Sequence, residues 1–372
     1  MKNIVVGAGI SGAAVARILA EAGEKVEVIE AKDHIAGNCF DYFDENGICV
    51  HKYGTHIFHT DNREVWDFLS RFTTWYPYMH KVLGLVEGQL VPIPFNLNSI
   101  RKVFPEGMAR KLEDKLTERF GFGRKVPILE LRQAEDPDLS FLADYIYNHV
   151  FLIYTTKQWG MKPEEIDPSV TARVPVYVSR DDRYFQNRWQ GIPDNGYTAM
   201  IKNMLEHENI TVRTGTAWKQ VKDEYAKERI FYTGHVDELM DRCFGDLPYR
   251  SISFDFRTYD REYFQPAAVV NYPENNDFTR IGEYKYFLGT QSSKTVVSLE
   301  YSSAYEYGKN EPYYPIASAA NSALHEKYMA AAREAYPNIC FLGRLGDYRY
   351  YDMDKAVARV FALMRENGIL KA

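Results

Sequence analysis

The sequence predicts an α/β fold with three parts: a discontinuous Rossmann-like dinucleotide-binding domain, a helical insertion, and a mixed or antiparallel β-sheet domain. Three observations support this fold class. The chain opens with a strand, a glycine-rich loop and a helix. Similar strand-like runs return near its end. Between them, some segments have apolar residues at helical spacing and others at strand spacing. A chain of 372 residues can bury a large core and usually forms two or three domains.

The first element is a βαβ unit in residues 1–30. Residues 2–6 form a short apolar run, Gly7-Ala8-Gly9-Ile10-Ser11-Gly12 follows as a G-x-G-x-x-G loop, and a helix and a second strand lead to Glu30. The first glycine permits a tight turn, the second lets the backbone approach a pyrophosphate, and the third lets the helix pack on the strand. The helix N-terminus offers free N–H groups to phosphates. Such a loop alone can be an ordinary glycine turn, but its strand, helix and acid stand at the spacing that predicts dinucleotide binding.

Glu30 and the residues after it favour FAD as the dinucleotide. The Glu30 carboxylate can accept both hydroxyl groups of a ribose, which argues against a 2′-phosphate. The continuation from Ala31 is similar to the E-x-x-x-x-x-G-G pattern of FAD enzymes of the glutathione-reductase-like class, with Ala36 at the first glycine and Gly37-Asn38 after it. Because the fingerprint occurs once, we expect no second Rossmann domain for a nicotinamide cofactor.

The later elements follow from periodicity. Apolar runs predict strands at 210–213, 229–234 and 339–343, a helix at 197–207 and a C-terminal helix at 353–366. Residues 99–157 have the spacing of amphipathic helices, whereas 174–188 and 251–295 contain alternating and β-branched runs typical of a sheet. The expected domains are an FAD-binding domain of residues 1–75, 195–245 and 335–372, a helical insertion of residues 99–160, and a β-sheet substrate domain of residues 76–98, 161–194 and 246–334.

Composition and charge argue against several classes of partner. The formal net charge of −6 disfavours nucleic acid and anionic membranes. No apolar run approaches the ~20 residues that span a bilayer, and the first strand begins too early for a signal peptide. The four cysteines show neither C-x-x-C spacing nor the density of a disulfide scaffold. We therefore expect a cytoplasmic protein with reduced thiols.

Several further segments, spread over nearly the whole chain, carry a resemblance to a known family. They are, in chain order, Gly54–Thr60 (GTHIFHT), Tyr154–Gly160 (YTTKQWG), Arg173–Val176 (RVPV), Asp181–Phe185 (DDRYF), Gln190–Tyr197 (QGIPDNGY), Thr279–Ile281 (TRI), Pro312–Pro315 (PYYP) and Gly343–Asp354 (GRLGDYRYYDMD). Together they resemble the UDP-galactopyranose mutase family, flavoenzymes that interconvert UDP-galactopyranose and UDP-galactofuranose. The KQWG and RLGxYxY blocks are far more specific than the glycine-rich loop.

The resemblance implies a set of substrate contacts. Arg173 and Arg280 are similar to two diphosphate-binding arginines of the family, and a guanidinium matches phosphate oxygens better than an ammonium does. Without the resemblance, either arginine could simply pair with a surface carboxylate. Arg250 is a candidate for the sugar–phosphate region or for a structural role. The aromatic contacts that the resemblance implies are Tyr184, Tyr314 and Tyr350 for the diphosphate, Phe151 and Tyr154 for the uridine, and Trp159 near the substrate.

The resemblance also implies cofactor contacts and places His56 at the flavin. There a neutral imidazole could donate or accept a hydrogen bond, so His56 joins Arg173 and Arg280 as an expected catalytic residue. A metal site of His51, His56 and His59 is the alternative, but no nearby carboxylate or cysteine completes a tetrahedral set, and we expect no metal. The implied cofactor contacts are Gly9, Ile10, Ser11, Gly12, Glu30, Ala31, Gly37, Asn38, His56, Ile57, Arg344, Tyr350, Asp352 and Met353.

The family's chemistry implies non-covalent FAD that is active when reduced by an external reductant. Flavin N5 attacks the anomeric carbon of galactose as UDP departs, and the sugar ring opens and recloses with no net redox change. Galactofuranose would feed a cell-surface polysaccharide, and the relatives imply a homodimer. An amine-oxidase-type flavin oxidoreductase is the main alternative, disfavoured by the paired arginines and the tyrosines. A non-catalytic flavin-binding protein is disfavoured because the whole motif set is retained.

Overall fold

A five-stranded parallel sheet organises the part of the protein that carries the glycine-rich loop. The computed structural model describes residues 2–165, 174–274, 276–316 and 318–371. Val5 of the central strand packs in the same core as helix Ile10–Glu21, and Ile4 packs in the core that contains helix Ala319–Ala335, so helices cover both faces. In spatial order the strands are Ile210–Arg213, Val26–Ile29, Asn3–Val6, Arg229–Tyr232 and Ile339–Phe341. The chain leaves the central strand to one side first and to the other later, which opens a crevice at the carboxyl ends.

A seven-stranded mixed sheet forms the second large element. Val269–Asn271 runs parallel to Val82–Val86, and the other neighbouring strands of this sheet are antiparallel. In spatial order the strands are Tyr314–Pro315, Tyr249–Tyr259, Thr295–Ala304, Arg280–Glu283, Val269–Asn271, Val82–Val86 and Gln89–Ile93. With the parallel sheet, it confirms the predicted α/β fold class with a mixed sheet.

Short sheets and helices complete the described residues. The short sheets pair Asp41–Phe43 with Cys49–His51, Lys125–Val126 with Val176–Tyr177, and Trp189–Pro193 with both Phe58–Thr60 and Trp75–Pro77. The α-helices are Ile10–Glu21, Arg63–Leu69, Leu97–Val103, Glu106–Phe120, Ile128–Leu131, Pro137–Ile146, Ile153–Trp159, Gly196–Leu205, Trp218–Val221, Val236–Leu239, Lys285–Leu288, Ala319–Ala335, Gly343–Gly346 and Met353–Glu366. Within these ranges, no helix combines the length and the apolar character that crossing a bilayer requires.

The predicted helical segment shares one core with strands Val82–Val86 and Gln89–Ile93 of the seven-stranded sheet. Leu112 and Leu116, one helical turn apart, are buried on helix Glu106–Phe120, and helix Pro137–Ile146 buries the equivalent face. The Asp136 side chain caps that second helix by accepting two backbone N–H groups. Residues Tyr147–Leu152 then form a wider π-type turn that continues directly into Ile153–Trp159.

The prediction of sheet structure over residues 174–188 is mostly wrong. Only Val176–Tyr177 forms a strand there, and it pairs with a strand of the helical segment rather than with the seven-stranded sheet. Polar side chains explain the irregular backbone that follows. The Asp181 carboxylate accepts from the backbone N–H and the guanidinium of Arg183, and Asp182 accepts from asparagine side chains. The domain boundaries remain a proposal, although the five parallel strands all come from the three segments assigned to the FAD-binding domain.

Candidate active site

Two cavities adjoin each other, one beside the carboxyl ends of the parallel strands and one beside the seven-stranded sheet. The first, the glycine-loop cavity, has a volume of about 810 Å³ and is lined by the G-x-G-x-x-G residues. The second, the tyrosine cavity, has a volume of about 440 Å³ and is lined by tyrosines 154, 184, 314 and 350. His56, Arg344, Asp352 and Met353 line both cavities. A ligand in one cavity can therefore meet a ligand in the other at these four residues.

Backbone atoms form the wall of the glycine-loop cavity where helix Ile10–Glu21 begins. Gly7 has a φ of +103°, and a Cβ at Gly12 would stand 1.9 Å from the Gly7 carbonyl oxygen, so neither position accepts a side chain. Gly37 faces Gly9 closely, since a Cβ at Gly37 would lie 3.1 Å from the Gly9 Cα. A bare loop at a helix N-terminus suits a pyrophosphate. The residues present therefore fit a dinucleotide such as FAD.

Glu30 is fixed inside this cavity by backbone groups. Its side chain is buried, and its Oε2 accepts from the backbone N–H of Ala8 at 2.7 Å, while Oε1 accepts from that of Lys32 at 2.8 Å. Each carboxylate oxygen has a second lone pair, so both remain able to accept a ribose hydroxyl. Ala36, at the position of the usual first glycine, has a φ of +74° and donates its backbone N–H to the Ala8 carbonyl. The alanine thus keeps the left-handed turn that a glycine usually forms there.

His56 is held as a neutral imidazole where the cavities meet. Its Nδ1 lies 2.8 Å from the Gly54 carbonyl oxygen, which can only accept, so Nδ1 carries the proton. Its backbone N–H donates to Nδ1 of His51 at 3.0 Å, which fixes the loop. Burial lowers the pKa of His56 to about 3, because desolvation disfavours the charged ring, and the neighbouring His51 acts in the same direction. Nε2 of His56 is therefore a hydrogen-bond acceptor.

We expect His56 to stay neutral from about pH 8 to about pH 5. Its folded pKa of about 3 lies below that range, and the Gly54 carbonyl fixes the Nδ1–H tautomer. The ¹⁵N shifts of the imidazole, assigned by comparison with His56→Asn, should remain those of this tautomer throughout. A His56 resonance that titrates with a midpoint near the ordinary histidine value of about 6.5 would contradict the assignment.

Arg280 and Glu300 form an ion pair at the wall of the tyrosine cavity. The two residues lie directly opposite each other on neighbouring antiparallel strands, and Arg280 Nε donates to Glu300 Oε2 at 2.6 Å. Glu300 is 1% exposed and its Oε1 has no hydrogen-bond partner among the described residues. Burial alone would lower the pKa of Arg280, but Glu300 outweighs it and holds that pKa above its ordinary value. Arg280 is thus a permanent cation oriented by a buried carboxylate.

Aromatic rings line the same cavity as Arg280. Trp159 lies 5.8 Å from the Tyr314 ring centroid and 5.6 Å from that of Tyr350, and the two tyrosine rings are 4.8 Å apart, edge to face. Burial raises the pKa of the Tyr314 and Tyr154 hydroxyls, so both stay protonated and can donate to an anion. The N-terminus of helix Met353–Glu366 lies where the cavities meet and favours negative charge there.

Most of the predicted site residues line one cavity or both. Those of the tyrosine cavity are Phe151, Tyr154, Trp159, Tyr184, Arg280, Tyr314 and Tyr350, together with Ile57. Those of the glycine-loop cavity are Gly9, Ile10, Ser11, Gly12, Glu30, Ala31, Gly37 and Asn38, and the residues common to both are His56, Arg344, Asp352 and Met353. Arg173 lies outside the described residues, so its expected role stays a prediction.

Arg250 lies outside the lining of both cavities. It is 8% exposed, and its guanidinium donates to the backbone carbonyls of Gln158 and Lys157 at 2.9 and 3.1 Å. These carbonyls belong to the last turn of helix Ile153–Trp159, which a cation stabilises. The geometry favours the structural alternative for Arg250 over contact with the sugar–phosphate region.

Asp41, Cys49 and His51 form a buried cluster whose ligand-type atoms lie within 4.8 Å of one another. The Asp41 carboxylate is engaged at the start of helix Gly196–Leu205, where it accepts two backbone N–H groups at 2.6 and 2.9 Å. Nδ1 of His51 accepts from the backbone of His56, so its Nε2 carries the ring proton and has no lone pair for a metal. These hydrogen bonds occupy the Asp41 carboxylate and Nδ1 of His51, whereas Nε2 of His51 has no hydrogen-bond partner among the described residues.

Some residues that shape the site had no local signal in the sequence. Glu300 interrupts an apolar strand. Its role at the site depends on the strand pairing that sets it opposite Arg280, and no short sequence pattern predicts that pairing. At the far end of the glycine-loop cavity, Trp218, Arg242 and Tyr307 line the wall, with the Arg242 guanidinium 3.4 Å from the Tyr307 ring centroid. These three come from separate loops and helices, so only the fold brings them together.

Comparisons with known proteins agree with this site. A family model for UDP-galactopyranose mutase matches residues 149–350, and one for an NAD(P)-binding Rossmann-like domain matches residues 5–72. Among solved structures, a reduced UDP-galactopyranose mutase is similar with a TM-score of 0.73 at 17% identity, covering 100% of this chain and 96% of that one. A putrescine oxidase is similar with a TM-score of 0.60 at 10% identity, covering 98% of each chain. At these identities the two structures show the shared fold.

Curated relatives match over nearly their full length. A probable UDP-galactopyranose mutase of Klebsiella pneumoniae is 40% identical, covering 96% of this chain and 92% of the relative. A dTDP-fucopyranose mutase of Escherichia coli is 37% identical, covering 96% and 95%. A UDP-galactopyranose mutase of Mycoplasma pneumoniae is 35% identical, covering 96% and 94%. The family model and these relatives together show that the chain is an enzyme and belongs to the UDP-galactopyranose mutase family of isomerases.

Proposed function

We propose that this enzyme interconverts UDP-galactopyranose and UDP-galactofuranose with reduced, non-covalent FAD. The observation that carries the proposal is the junction of the two cavities. A dinucleotide in the glycine-loop cavity and a nucleotide sugar in the tyrosine cavity would meet at His56, Arg344, Asp352 and Met353. Family membership and the similarity to mutases of UDP-galactopyranose support the same conclusion.

The tyrosine cavity suits a substrate whose leaving group is a nucleoside diphosphate. Arg280 supplies a fixed cation, and Tyr314 and Tyr350 supply phenol groups in the same cavity. The Arg344 guanidinium lies 5.5 and 5.4 Å from the centroids of these two rings and adds a second positive charge. We assign the deeper aromatic wall of Phe151 and Tyr154 to the uridine. Because the cation and donors are in place before the bond breaks, they stabilise the charge that develops on UDP.

The residues of the glycine-loop cavity would hold FAD as described above. When bound and reduced, the flavin supplies the nucleophile for the anomeric carbon through N5. The neutral His56 offers an acceptor at that end, and the N-terminus of helix Met353–Glu366 favours negative charge there. No carboxylate of the chain is needed as a dedicated acid or base in this scheme.

A dTDP-fucopyranose mutase is the second candidate, because such a relative is 37% identical over nearly the whole chain. The two reactions use the same kind of diphosphate leaving group, so Arg280 and the tyrosines serve either substrate. The substrates differ in the 2′-hydroxyl of the nucleoside, the 5-methyl of the base and the 6-hydroxyl of the sugar. Direct comparison of the two nucleotide sugars is therefore decisive.

We expect the purified protein to be yellow and to isomerise UDP-galactofuranose only when its flavin is reduced. The flavin is the only nucleophile in the scheme, and oxidised flavin would offer an electron-poor imine nitrogen at N5 in place of the nucleophilic amine. The assay incubates dithionite-reduced and oxidised protein separately with UDP-galactofuranose and with dTDP-fucofuranose, then separates the isomers by chromatography. Equal activity with fully oxidised flavin would reject the mechanism, and preference for dTDP-fucofuranose would favour the second candidate. Hydrogen peroxide release from an amine would instead indicate an oxidase.

A further inference from the structure

The ammonium group of Lys157 lies in a cup of backbone carbonyl groups. Its Nζ donates to the carbonyl oxygens of Tyr272, Glu274, Asn276 and Phe278 at 2.5, 2.9, 3.1 and 3.3 Å. An ammonium has three N–H donors, so four carbonyls use all of its capacity. Burial lowers the pKa of Lys157 from its ordinary value, with Asp277 acting in the opposite direction. The contacts mark a built structural feature rather than a surface lysine that happens to be near a loop.

The four carbonyls come from the loop between strands Val269–Asn271 and Arg280–Glu283. Ladder-like pairing of these strands ends where Tyr272 donates its backbone N–H to the Thr279 carbonyl at 2.9 Å. Beyond that point, the carbonyls of alternate residues turn toward one cation. Without a donor at the centre, these converging, half-buried dipoles would repel one another and lose a hydrogen-bond partner. The loop therefore depends on Lys157 for its closed conformation.

Lys157 also links the two walls that carry the predicted substrate contacts. Its helix, Ile153–Trp159, brings Tyr154 and Trp159 to the tyrosine cavity, whereas the loop leads directly into Arg280. The backbone of the same helix turn is fixed from the other side, because Arg250 donates to the Lys157 and Gln158 carbonyls. The lysine side chain thus ties a firmly anchored helix end to the loop before Arg280. His149, in the π-type turn before that helix, adds one side-chain contact with Glu274 at 3.0 Å.

We propose that Lys157 is a positioning residue, whose ammonium group holds the loop before Arg280 against helix Ile153–Trp159 and so sets the distance between the guanidinium and the aromatic wall of the tyrosine cavity. This inference rests on the proposed use of Arg280 to bind a diphosphate. Lys157 itself touches no substrate in this scheme. Its loss opens the cavity while the glycine-loop cavity, built from other segments, keeps its shape.

The test measures binding of UDP to the FAD-loaded protein by calorimetry. Lys157→Ala should weaken UDP binding by roughly ten- to a hundredfold, the range expected when a binding group is misplaced by about an ångström. KM for the nucleotide sugar should rise with it, and FAD content should not change. Propylammonium, which replaces the deleted part of the side chain, should restore UDP affinity in Lys157→Ala, whereas tetramethylammonium, which has no N–H donor, should not.

Lys285→Met is the matched control. Lys285 is 1% exposed and its Nζ also donates to backbone carbonyls, including that of Glu262 at 2.8 Å, but it lines neither cavity. The Lys285→Met substitution should lower thermal stability and leave the dissociation constant of UDP at the wild-type value. If Lys157→Ala does not fold, Lys157→Arg takes its place, because a planar guanidinium keeps the charge but cannot meet four converging carbonyls, and weaker UDP binding is again expected.

The outcomes separate this inference from the proposed function. Wild-type affinity for UDP in folded Lys157→Ala or Lys157→Arg would overturn the positioning role while leaving the mutase proposal intact. Equal weakening in Lys285→Met, or no rescue by propylammonium, would also overturn it, since the effect would then be general destabilisation. Failure of the wild-type protein to bind UDP at all would instead reject the proposed function.

Discussion

Arg280→Ala is expected to lower turnover of UDP-galactofuranose by roughly tens-fold or more while FAD stays bound. The Nε of Arg280 donates to the buried carboxylate of Glu300. This contact orients the guanidinium and raises its pKa, so Arg280 stays charged. A diphosphate that gains charge as UDP leaves would lose this partner, and removal of one member of a buried charge pair costs about 2–5 kcal/mol. The effect should appear in kcat/KM with the reduced enzyme, because the contact strengthens in the transition state.

Glu300 decides how this experiment is designed. Arg280→Ala alone leaves an acid that is 1% exposed without its partner, which costs about 3–5 kcal/mol of stability on its own. The double variant Arg280→Met/Glu300→Gln removes both charges and should fold more stably, yet remain as inactive as the single variant. Arg280→Lys should recover only part of the activity, since an ammonium lacks the planar fork. Arg257→Ala is the matched control. It breaks an exposed ion pair with Asp255 on strand Tyr249–Tyr259, which pairs with the strand that carries Glu300.

Wild-type turnover in the folded, reduced Arg280→Met/Glu300→Gln enzyme would show that the guanidinium is not part of the substrate site. Loss of FAD in every Arg280 variant would instead favour a purely structural arginine. Arg173, the second arginine expected from the family resemblance, belongs in the same series. We expect Arg173→Ala to lower turnover to a similar degree, with FAD retained.

The parts of the fold that could be predicted from sequence are those set by local chemistry. The G-x-G-x-x-G loop is one such part. Its tight turn needs glycine at the third position, because a side chain at Gly12 would collide with the Gly7 carbonyl, and the sequence therefore indicates the turn. The C-terminal helix was predicted at 353–366 and forms over Met353–Glu366, since its buried positions recur at helical spacing. Glu30 follows its strand directly, so its place in the cavity was also predictable.

Contacts between distant segments could not be predicted in this way. Glu300 matters because the strands Arg280–Glu283 and Thr295–Ala304 pair in a register that sets it opposite Arg280, and a shift of one residue would have sent it to the other face. Arg250 resembles a substrate contact in sequence, yet the strand pairing brings it beneath the end of a helix. Lys157 lies in a recognisable motif, but its partners are backbone carbonyls, which carry no sequence signal.

The remaining large effect concerns Glu30, whose replacement by alanine should weaken FAD binding by roughly tenfold or more. Two consequences add up. The ribose loses a charged acceptor, and each such hydrogen bond is worth about 1.5–3 kcal/mol. In addition, the backbone N–H groups of Ala8 and Lys32, which the carboxylate now accepts at 2.7 and 2.8 Å, lose their buried partner, so the loop that receives the pyrophosphate is no longer fixed.

Titration of apo-protein with FAD, followed by flavin fluorescence, measures the dissociation constant directly. Glu30→Gln keeps one acceptor oxygen but directs an NH₂ group at a backbone N–H, so it should bind FAD with an affinity between those of wild type and Glu30→Ala. Glu27→Ala is the matched control, because Glu27 lies on the strand that Glu30 directly follows, pairs with Lys2 and lines neither cavity. An unchanged FAD affinity in Glu30→Ala would mean that the carboxylate neither binds the ribose nor is needed to fix the loop that receives the pyrophosphate. In that event the ribose must be held by other residues of the glycine-loop cavity.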